Sequence, residues 1–302
     1  MRKRERKRIA IPTIASQNLA GVIRQVKWSK INHTMNAEVL KNHLAGLPVP
    51  EIRFFESIGS TNDEALRWAS EGAADGSLVA ADQQTRGRGR FNRRWVTRAG
   101  AALAFSLILH PSAQEQKHLG LFSPLGALAI CRALEQTLGL QPQIKWPNDV
   151  LLNQRKAAGI LVEAAWLGER LQGIVTGIGV NVSAEAVPPD DQVLFPAISV
   201  EQAAGQKVDR VRLLQAILQA LFYWRPQIGS SAFHQAWEDR LAFKGEWVRV
   251  EAGGESAPDR SPITGQVVGI DPAGNLQLRT AENEIRSVAS VAVGDVHLRR
   301  VE

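Results

Sequence analysis

The chain has 302 residues, of which 44% are hydrophobic and 22% charged, and these proportions exclude a mainly disordered protein. Its single cysteine, Cys131, excludes a disulfide framework and a cysteine-rich metal site, and its apolar runs are too short to span a membrane. The net charge is +6, but residues 1–34 hold nine Lys or Arg and one acid, so the rest carries −2. We therefore expect a soluble, cytoplasmic protein whose body does not bind polyanions through bulk charge.

The first 46 residues are predicted to be a basic N-terminal extension that ends in a leading helix. Residues 2–8 are almost entirely charged, which is typical of a solvated segment. Apolar residues from Val39 to Leu47 then recur with helical spacing before Pro48. Residues 1–34 are equally consistent with a true tail and with an extension upstream of a biological start at Met35.

Strands and helices mix from residue 47 to residue 243, which predicts an α/β (α+β) catalytic domain with a central mixed sheet flanked by helices. Residues 144–152 and 157–165 are expected to form a hairpin, and a capping box at Thr61–Glu64 predicts the start of the first helix in this domain. The predicted strands are 53–57, 77–81, 101–109, 144–152, 157–165 and 171–182, and the later helices are 119–138, 211–224 and 231–241.

After Phe243 the pattern changes to short strands separated by turns at 253–254, 271–274 and 294–295. This predicts a small all-β module over residues 244–302. The chain is thus divided into units at 1–46, 47–243 and 244–302.

Residues 84–95 read QTRGRGRFNRRW, in which five arginines alternate with glycines and other residues. Glycine lets the backbone approach a ligand closely, and guanidinium groups neutralise phosphate and carboxylate. Such repeats are by themselves more typical of RNA binding or of a flexible surface loop. Because this loop lies between two predicted strands of a domain, its position favours a small anionic ligand.

Two further stretches are candidates for a binding site. Residues 145–150 read KWPNDV and are followed by RKAAGILVE at 155–163; on spacing alone this is an ordinary hairpin with Lys156 as a solvated turn charge. Residues 177–182 read GIGVNV and are equally consistent with a buried strand whose glycines allow close packing. This stretch is not a Rossmann fingerprint, and the sequence contains no P-loop.

Together with Ser60-Thr61-Asn62, these stretches occur in the order and spacing of biotin protein ligases, which the chain resembles from about Met35 to Glu302. The resemblance implies that biotin and ATP form biotinyl-5′-AMP and pyrophosphate, with Mg²⁺ as cofactor, and that biotin then passes to a lysine of a biotin carboxyl carrier protein. It also implies that the C-terminal module is SH3-like. One departure is Asn92, which replaces a glycine of the family's arginine-glycine loop; since Asn tolerates left-handed backbone angles, loop closure is expected to be altered but not lost.

The resemblance assigns roles to residues of the three stretches and of the Ser60 segment. The implied catalytic residues are Lys156, Arg90 and Arg93. The implied biotin-binding residues are Ser60, Thr61, Asn62, Gln84, Arg88, Gly89, Arg90, Lys156 and Gly159. The implied ATP or adenylate residues are Arg93, Trp95, Lys145, Asn148, Asp149 and Asn181, with Asp149 also the candidate metal ligand.

Two alternatives remain at this point. A lipoate–protein ligase shares the implied fold, but its ligand lacks the ureido group that hydroxyl and amide side chains such as those of Thr61 and Gln84 would bind. A bifunctional ligase and DNA-binding repressor needs a winged helix of about 60 residues, whereas only 46 residues precede Leu47, so sequence-specific DNA binding is not expected. A homodimer is possible, and no membrane partner is expected.

Overall fold

The computed structural model describes residues 34–95, 97–168, 170–250, 262–289 and 296–297. The basic segment at the N-terminus, and the choice between a tail and an upstream extension, lie outside the described residues. Among those that are described, no helix is both long and apolar enough to cross a bilayer.

Seven strands form the central sheet in the order β1-β2-β3-β7-β6-β5-β4. The sheet is mixed, because β1 and β2 run parallel whereas all other neighbouring strands run antiparallel. The strands are β1 (Ile52–Ile58), β2 (Leu78–Gln84), β3 (Ala102–Leu109), β4 (Gln143–Lys145), β5 (Asp149–Leu152), β6 (Arg155–Leu167) and β7 (Arg170–Asn181).

Helices cover both faces of this sheet. Every residue of β3 is buried, because its side chains alternate between two hydrophobic cores. Leu107 packs in the core that includes apolar residues of the helices at 122–138 and 210–224. Ile108 packs in the other core, with Trp68 of the helix at 61–70. The third helix ends at Gly139, where φ is 66°, a left-handed value that suits glycine. The helices are α1 (Ala37–His43), α2 (Thr61–Ser70), α3 (Phe122–Leu138), α4 (Val200–Ala204), α5 (Arg210–Trp224) and α6 (Ser231–Glu238).

The C-terminal residues form a separate antiparallel sheet in the order β11-β10-β9-β8-β12. Its inward side chains, among them Val248, Val267 and Leu278, join the main hydrophobic core. The expected mixed sheet with flanking helices and a small C-terminal β unit is confirmed, while the SH3-like assignment and the unit boundaries stay predictions. The strands are β8 (Trp247–Val250), β9 (Ile263–Ile270), β10 (Leu276–Arg279), β11 (Ile285–Val288) and β12 (Val296–His297).

The prediction of one continuous strand over residues 144–152 is wrong. Lys145 pairs with Asp149 across an antiparallel hairpin, so β4 and β5 are two strands joined by residues 146–148. The reason is Pro147, which has no N–H to donate and cannot sit inside a central strand. The following hairpin between β5 and β6 is confirmed, and its turn residues Asn153 and Gln154 have φ values of 50° and 59°, as a tight two-residue hairpin turn requires.

One helix prediction also changes, and one helix was missed. A 3₁₀ segment, Glu115–Leu121, precedes α3, so the helix predicted from residue 119 begins at Phe122. The short helix α4 was not predicted, because five residues are too few to show an apolar period.

Candidate active site

The start of α2 supplies the polar end of the site. Ser60, and not Thr61 as the sequence predicted, caps this helix: its side chain accepts from the Asp63 N–H at 3.4 Å. Thr61 is thereby the first helical residue, and its backbone N–H and its hydroxyl both donate to Gln84 Oε1, at 2.7 and 3.0 Å. Cap and side-chain bonds together hold Ser60, Thr61 and Asn62 in place, and all three are buried.

Ser106 completes this polar group and was not predicted. Its hydroxyl lies 2.8 Å from Thr61 Oγ1 and 2.6 Å from Asn62 Oδ1. A serine in the middle of a fully buried strand must find such partners, because an unpaired buried hydroxyl costs about 1–3 kcal/mol. That isolated polar position in β3 was the one signal in the sequence that could have identified it.

Arg88 binds carboxylates of the protein itself. Its guanidinium contacts both oxygens of Glu163, at 3.0 and 2.9 Å, and donates to Asp63 at 2.6 Å. Glu163 also accepts from Asn62 Nδ2 at 2.8 Å. Burial lowers the pKa of Arg88, but hydrogen bonds and charge from Glu163 and Asp63 outweigh it and raise that pKa. The side chain of Arg88 therefore joins the arginine-glycine loop to α2 and β6, and it also lines the cavity; its role in binding biotin stays a prediction.

The arginine-glycine loop is a closed hairpin. The Gly89 N–H donates to Arg93 O at 2.7 Å, and the Trp95 N–H donates to Gly87 O at 2.9 Å. Glycine is required at residue 87, since a Cβ there would lie 2.5 Å from Trp95 O. Loop closure thus brings Arg90, Arg93 and Trp95 to the cavity described below.

The left-handed position of this loop is Phe91, with φ 54°, and not Asn92 as the comparison with the family's glycine suggested. Asn92 ends the 3₁₀ turn Arg90–Asn92. A left-handed conformation costs a non-glycine residue about 1–2 kcal/mol, and more for β-branched residues. Phe91→Val is therefore expected to loosen the loop, whereas Phe91→Asn is expected to preserve it.

Hydrogen exchange at the Gly89 and Trp95 amides measures this directly. Exchange should be about tenfold faster in Phe91→Val and no faster than wild type in Phe91→Asn. Asn92→Val is the matched control and should exchange like wild type. Faster exchange in Asn92→Val alone would show that the left-handed position had been assigned to the wrong residue.

Trp95 forms one wall of the site, and its indole ring has room there because residues 159 and 179 are glycines. A Cβ at Gly179 would overlap the indole ring, and a Cβ at Gly159 would lie 3.3 Å from it. Trp95 Nε1 is buried and has no hydrogen-bond partner in the described part of the chain. A buried indole N–H without a partner is costly, and here it belongs to a residue that lines a cavity.

Two lysines surround one buried carboxylate. Asp149 Oδ1 lies 2.6 Å from Lys156 Nζ, and Asp149 Oδ2 lies 3.5 Å from Lys145 Nζ. Burial raises the pKa of Asp149, but the charge of Lys156 and then that of Lys145 outweigh it and hold that pKa below its usual value. Lys156 is thus not a solvated turn charge: its side chain is 28% exposed and neutralises Asp149.

Asp149 does not suit the metal-binding role that the resemblance implied. Each of its oxygens faces an ammonium group, whereas Mg²⁺ needs several oxygen ligands. No cluster of three His, Cys, Asp or Glu that could hold a metal occurs among the described residues. Asp149 is better suited to positioning the two lysines.

The side chains of Asn148 and Asn181 hold the backbone near Lys156 and Asp149 in place. Asn148 Nδ2 donates to Ile160 O at 2.9 Å, and Asn181 Nδ2 lies 3.4 Å from the carbonyl oxygens of Lys156 and Ile198. Both side chains line the cavity and also hold neighbouring strands in place.

The segment 184–197 covers one side of the cavity and was missed by sequence reasoning. It follows β7 and is attached to β6: Arg155 donates to Asp190 at 2.7 Å and to Ala197 O at 2.8 Å, and the Lys156 N–H donates to Pro196 O. The aromatic ring of Phe195 lies 4.9 Å from Lys145 Nζ. Its sequence carries no motif, so only the fold brings it to the site.

Many of these residues line one cavity of about 590 Å³, a volume within the usual range for small-molecule sites. Every residue to which the sequence assigned a role lines it, while segment 184–197 contributes further contacts. One end is neutral and hydrogen-bonding, around Ser60 and Gln84, and the other is cationic. The cationic end is formed by Arg90, Arg93, Arg94, Lys145 and Lys156.

Comparisons with known proteins show to which family the chain belongs. A family model described as the Biotin/lipoate A/B protein ligase family matches residues 54–181, and one described as the Biotin protein ligase C terminal domain matches residues 245–298. A biotin–[acetyl-CoA-carboxylase] ligase from Paracoccus denitrificans is 36% identical over 245 residues, which are 78% of this chain and 97% of that protein. The bifunctional ligase/repressor BirA of Bacillus subtilis is 32% identical, over 84% of this chain and 74% of the relative.

A solved structure of similar fold is biotin protein ligase from Aquifex aeolicus in complex with biotin and ATP. It superposes with a TM-score of 0.69 at 28% identity and covers 83% of this chain and 99% of that one. The chain belongs to the biotin protein ligase family.

Proposed function

We propose that this chain is an ATP-dependent biotin–protein ligase. It joins biotin to ATP as biotinyl-5′-AMP and then transfers biotin to a lysine of a biotin carboxyl carrier protein. The observation that carries the proposal is the single cavity whose hydrogen-bonding end and cationic end lie side by side, in a chain 36% identical to a biotin–[acetyl-CoA-carboxylase] ligase.

The hydrogen-bonding end fits the ureido ring of biotin. That ring offers one carbonyl acceptor and two N–H donors, and hydroxyl and amide side chains supply the matching groups. Ser60, Thr61, Asn62 and Gln84 are held there by the helix cap and by Ser106. A lipoyl dithiolane makes no such hydrogen bonds, so burying this polar group against it would be unfavourable.

The cationic end fits the reacting groups. A carboxylate oxygen of biotin attacks the α-phosphorus of ATP, the bond to the β-phosphate bridging oxygen breaks, and pyrophosphate leaves with that electron pair. Two anions must approach each other, so fixed positive charge lowers the barrier. Lys156 holds one contact to Asp149 and has further N–H donors to offer the carboxylate and α-phosphate, with Arg90 and Arg93 nearby.

In the second step the amine of the acceptor lysine attacks the acyl carbon of the adenylate. The bond between that carbon and the phosphate oxygen breaks, AMP leaves, and the amine loses a proton as the amide forms. Closure of the arginine-glycine loop and of segment 184–197 around the mixed anhydride would limit its hydrolysis. Trp95, Asn148 and Asn181 are proposed to surround the adenylate, and Mg²⁺ stays a prediction with no ligand assigned on this chain.

Intact-mass analysis of an apo carrier domain tests the proposal. The domain is incubated with this protein, ATP and magnesium, and with either biotin or lipoate. We expect one added biotinyl group in the biotin reaction and no change in the lipoate reaction or in a carrier whose acceptor lysine is arginine. Addition of lipoyl instead would favour a lipoate–protein ligase, and no addition in either reaction would refute ligase function.

A repressor function is the second candidate, since relatives from Bacillus subtilis and Escherichia coli are named bifunctional ligase/repressor BirA. The nine basic residues of segment 1–34 favour loose, salt-dependent attraction to DNA over sequence-specific recognition, because such attraction needs only charge. Dimer formation likewise stays a prediction.

A further inference from the structure

Glu163 lies on β6 beside the hydrogen-bonding end of the cavity, and the two ligation steps give it no role. Its Oε2 accepts from Asn62 Nδ2 at 2.8 Å and from Arg88 at 2.9 Å. Asn62 is buried and lines the cavity together with Arg88, whereas Glu163 lies behind them and does not line it. Any effect of Glu163 on a ligand must therefore pass through Asn62 or Arg88.

The side-chain amide of Asn62 is held in one orientation. Its Nδ2 donates one hydrogen to Glu163 and the other to the carbonyl of Leu161, at 2.8 and 3.2 Å, and both partners are acceptors only. Turning the amide over would place Oδ1 against two acceptors. Oδ1 therefore faces Ser106, and it has room there because a Cβ at Gly177 would lie only 2.0 Å away.

This orientation decides where the hydroxyl protons of Ser106 and Thr61 lie. Ser106 is fully buried, and its Oγ lies 2.6 Å from Asn62 Oδ1 and 2.8 Å from Thr61 Oγ1. A serine hydroxyl has one proton, and Asn62 Oδ1 can only accept, so the Ser106 proton goes to Asn62. The proton of Thr61 then goes to Ser106 Oγ or to Gln84 Oε1, which is 3.0 Å away. In either case Thr61 has no proton left for a ligand.

The wall formed by Thr61 and Asn62 therefore accepts hydrogen bonds from a ligand and does not donate them. Both amide hydrogens of Asn62 and the hydroxyl proton of Thr61 point to protein atoms, while lone pairs remain on the two side-chain oxygens. A ligand ring with N–H groups satisfies these lone pairs. A ring that carries oxygen or sulfur in their place would leave buried acceptors facing each other, which is unfavourable.

We propose that Glu163 is a positioning residue for biotin, which acts through Asn62 and Ser106 to keep this wall a hydrogen-bond acceptor. The inference rests on the proposed function, because that function places the ureido ring at this end of the cavity. Without the carboxylate, the amide of Asn62 loses a partner and its orientation is no longer fixed, nor is the proton order in Ser106. Arg88 keeps a carboxylate partner, since it also donates to Asp63 at 2.6 Å.

Isothermal titration of biotin into the protein, with no ATP present, tests this. Glu163→Ala and Ser106→Ala should each raise the Kd for biotin about tenfold, as expected for one lost hydrogen bond, with the KM for ATP in pyrophosphate exchange unchanged. Because both act through Asn62, the double variant should bind about as weakly as either single variant, and not about a hundredfold more weakly than wild type. Asp63→Asn is the matched control: it removes a charge partner of Arg88, leaves Asn62 untouched, and should bind biotin like wild type.

Glu163→Gln takes the place of Glu163→Ala should that variant fail to fold. Its single acceptor oxygen cannot serve Asn62 and Arg88 as the carboxylate does, so the Kd for biotin should rise about threefold. A wild-type Kd in the folded Glu163 variant, or independent effects in the double variant, would overturn the inference. Equal weakening in Asp63→Asn would also overturn it, because Glu163 would then act through Arg88. Wild-type protein that does not bind biotin would instead overturn the proposed function, and the inference with it.

Discussion

Lys156→Ala is expected to slow the formation of biotinyl-5′-adenylate by about 30- to 1000-fold, which corresponds to about 2–4 kcal/mol of lost transition-state stabilisation. The reason is the loss of a positive charge that Asp149 holds at a fixed place, 2.6 Å away. Single-turnover adenylate formation, with no acceptor present, measures this step alone. Lys207→Ala is the control, because Lys207 also pairs with a carboxylate but is 76% exposed; it should react at the wild-type rate. A wild-type rate in Lys156→Ala would remove this lysine from the mechanism.

The same substitution should also lower stability, by about 1–3 kcal/mol, since Asp149 is buried and keeps only the more distant Lys145. The pKa of Asp149 is depressed in the folded protein, so its contribution to stability is present above the pKa of the unfolded chain and is lost as the pH falls through the folded pKa. Thermal melts of wild type and Lys156→Ala should therefore converge as the pH is lowered. A difference in melting temperature that stays constant with pH would show that the ion pair is not its cause.

Gly179→Ala and Gly177→Ala are expected to lower kcat/KM by about 10- to 100-fold, the equivalent of about 1–3 kcal/mol for an overpacked site. A methyl group at residue 179 would overlap the Trp95 ring, and one at residue 177 would overlap Asn62 Oδ1. The first variant should mainly impair ATP use and the second mainly biotin use. Steady-state kinetics with each substrate varied in turn separates the two effects.

Gly120→Ala is the control for these variants. Gly120 has no positive φ, and the nearest atom to a Cβ there is Ala273 O at 3.8 Å, so its kinetics should be those of wild type. If Gly177→Ala and Gly179→Ala lost affinity for the same substrate, the assignment of the two cavity ends would be wrong.

Most strands could be predicted because their patterns are local. The unbroken apolar run that became β3 is buried on both faces, and the hairpin at Asn153 follows from turn chemistry. The helix cap could not be assigned, since Ser60 and Thr61 both have suitable side chains and the choice depends on Gln84, which is distant in sequence. The break at Pro147 could have been predicted from its missing N–H.

The members of the site could be predicted from the resemblance, but their pairings could not. Neither the binding of Arg88 to Glu163 nor that of Lys156 to Asp149 has a signature in the spacing of those residues, because each depends on which strands are neighbours. Segment 184–197 has no motif at all. Its place at the cavity follows from the Arg155 contacts and the pairing of Lys156 with Ala197.

The most direct test of ligase chemistry in this cavity is biotin-dependent exchange of labelled pyrophosphate into ATP, with no acceptor protein present. Reversible adenylate formation needs both ends of the cavity and, unlike the transfer step, no acceptor protein; magnesium is supplied as in the ligase assay. We expect label in ATP when biotin is supplied, none when biotin is replaced by lipoate, and a large loss in Lys156→Ala. Exchange that proceeds equally without biotin, or no exchange in the wild-type protein, would contradict the account.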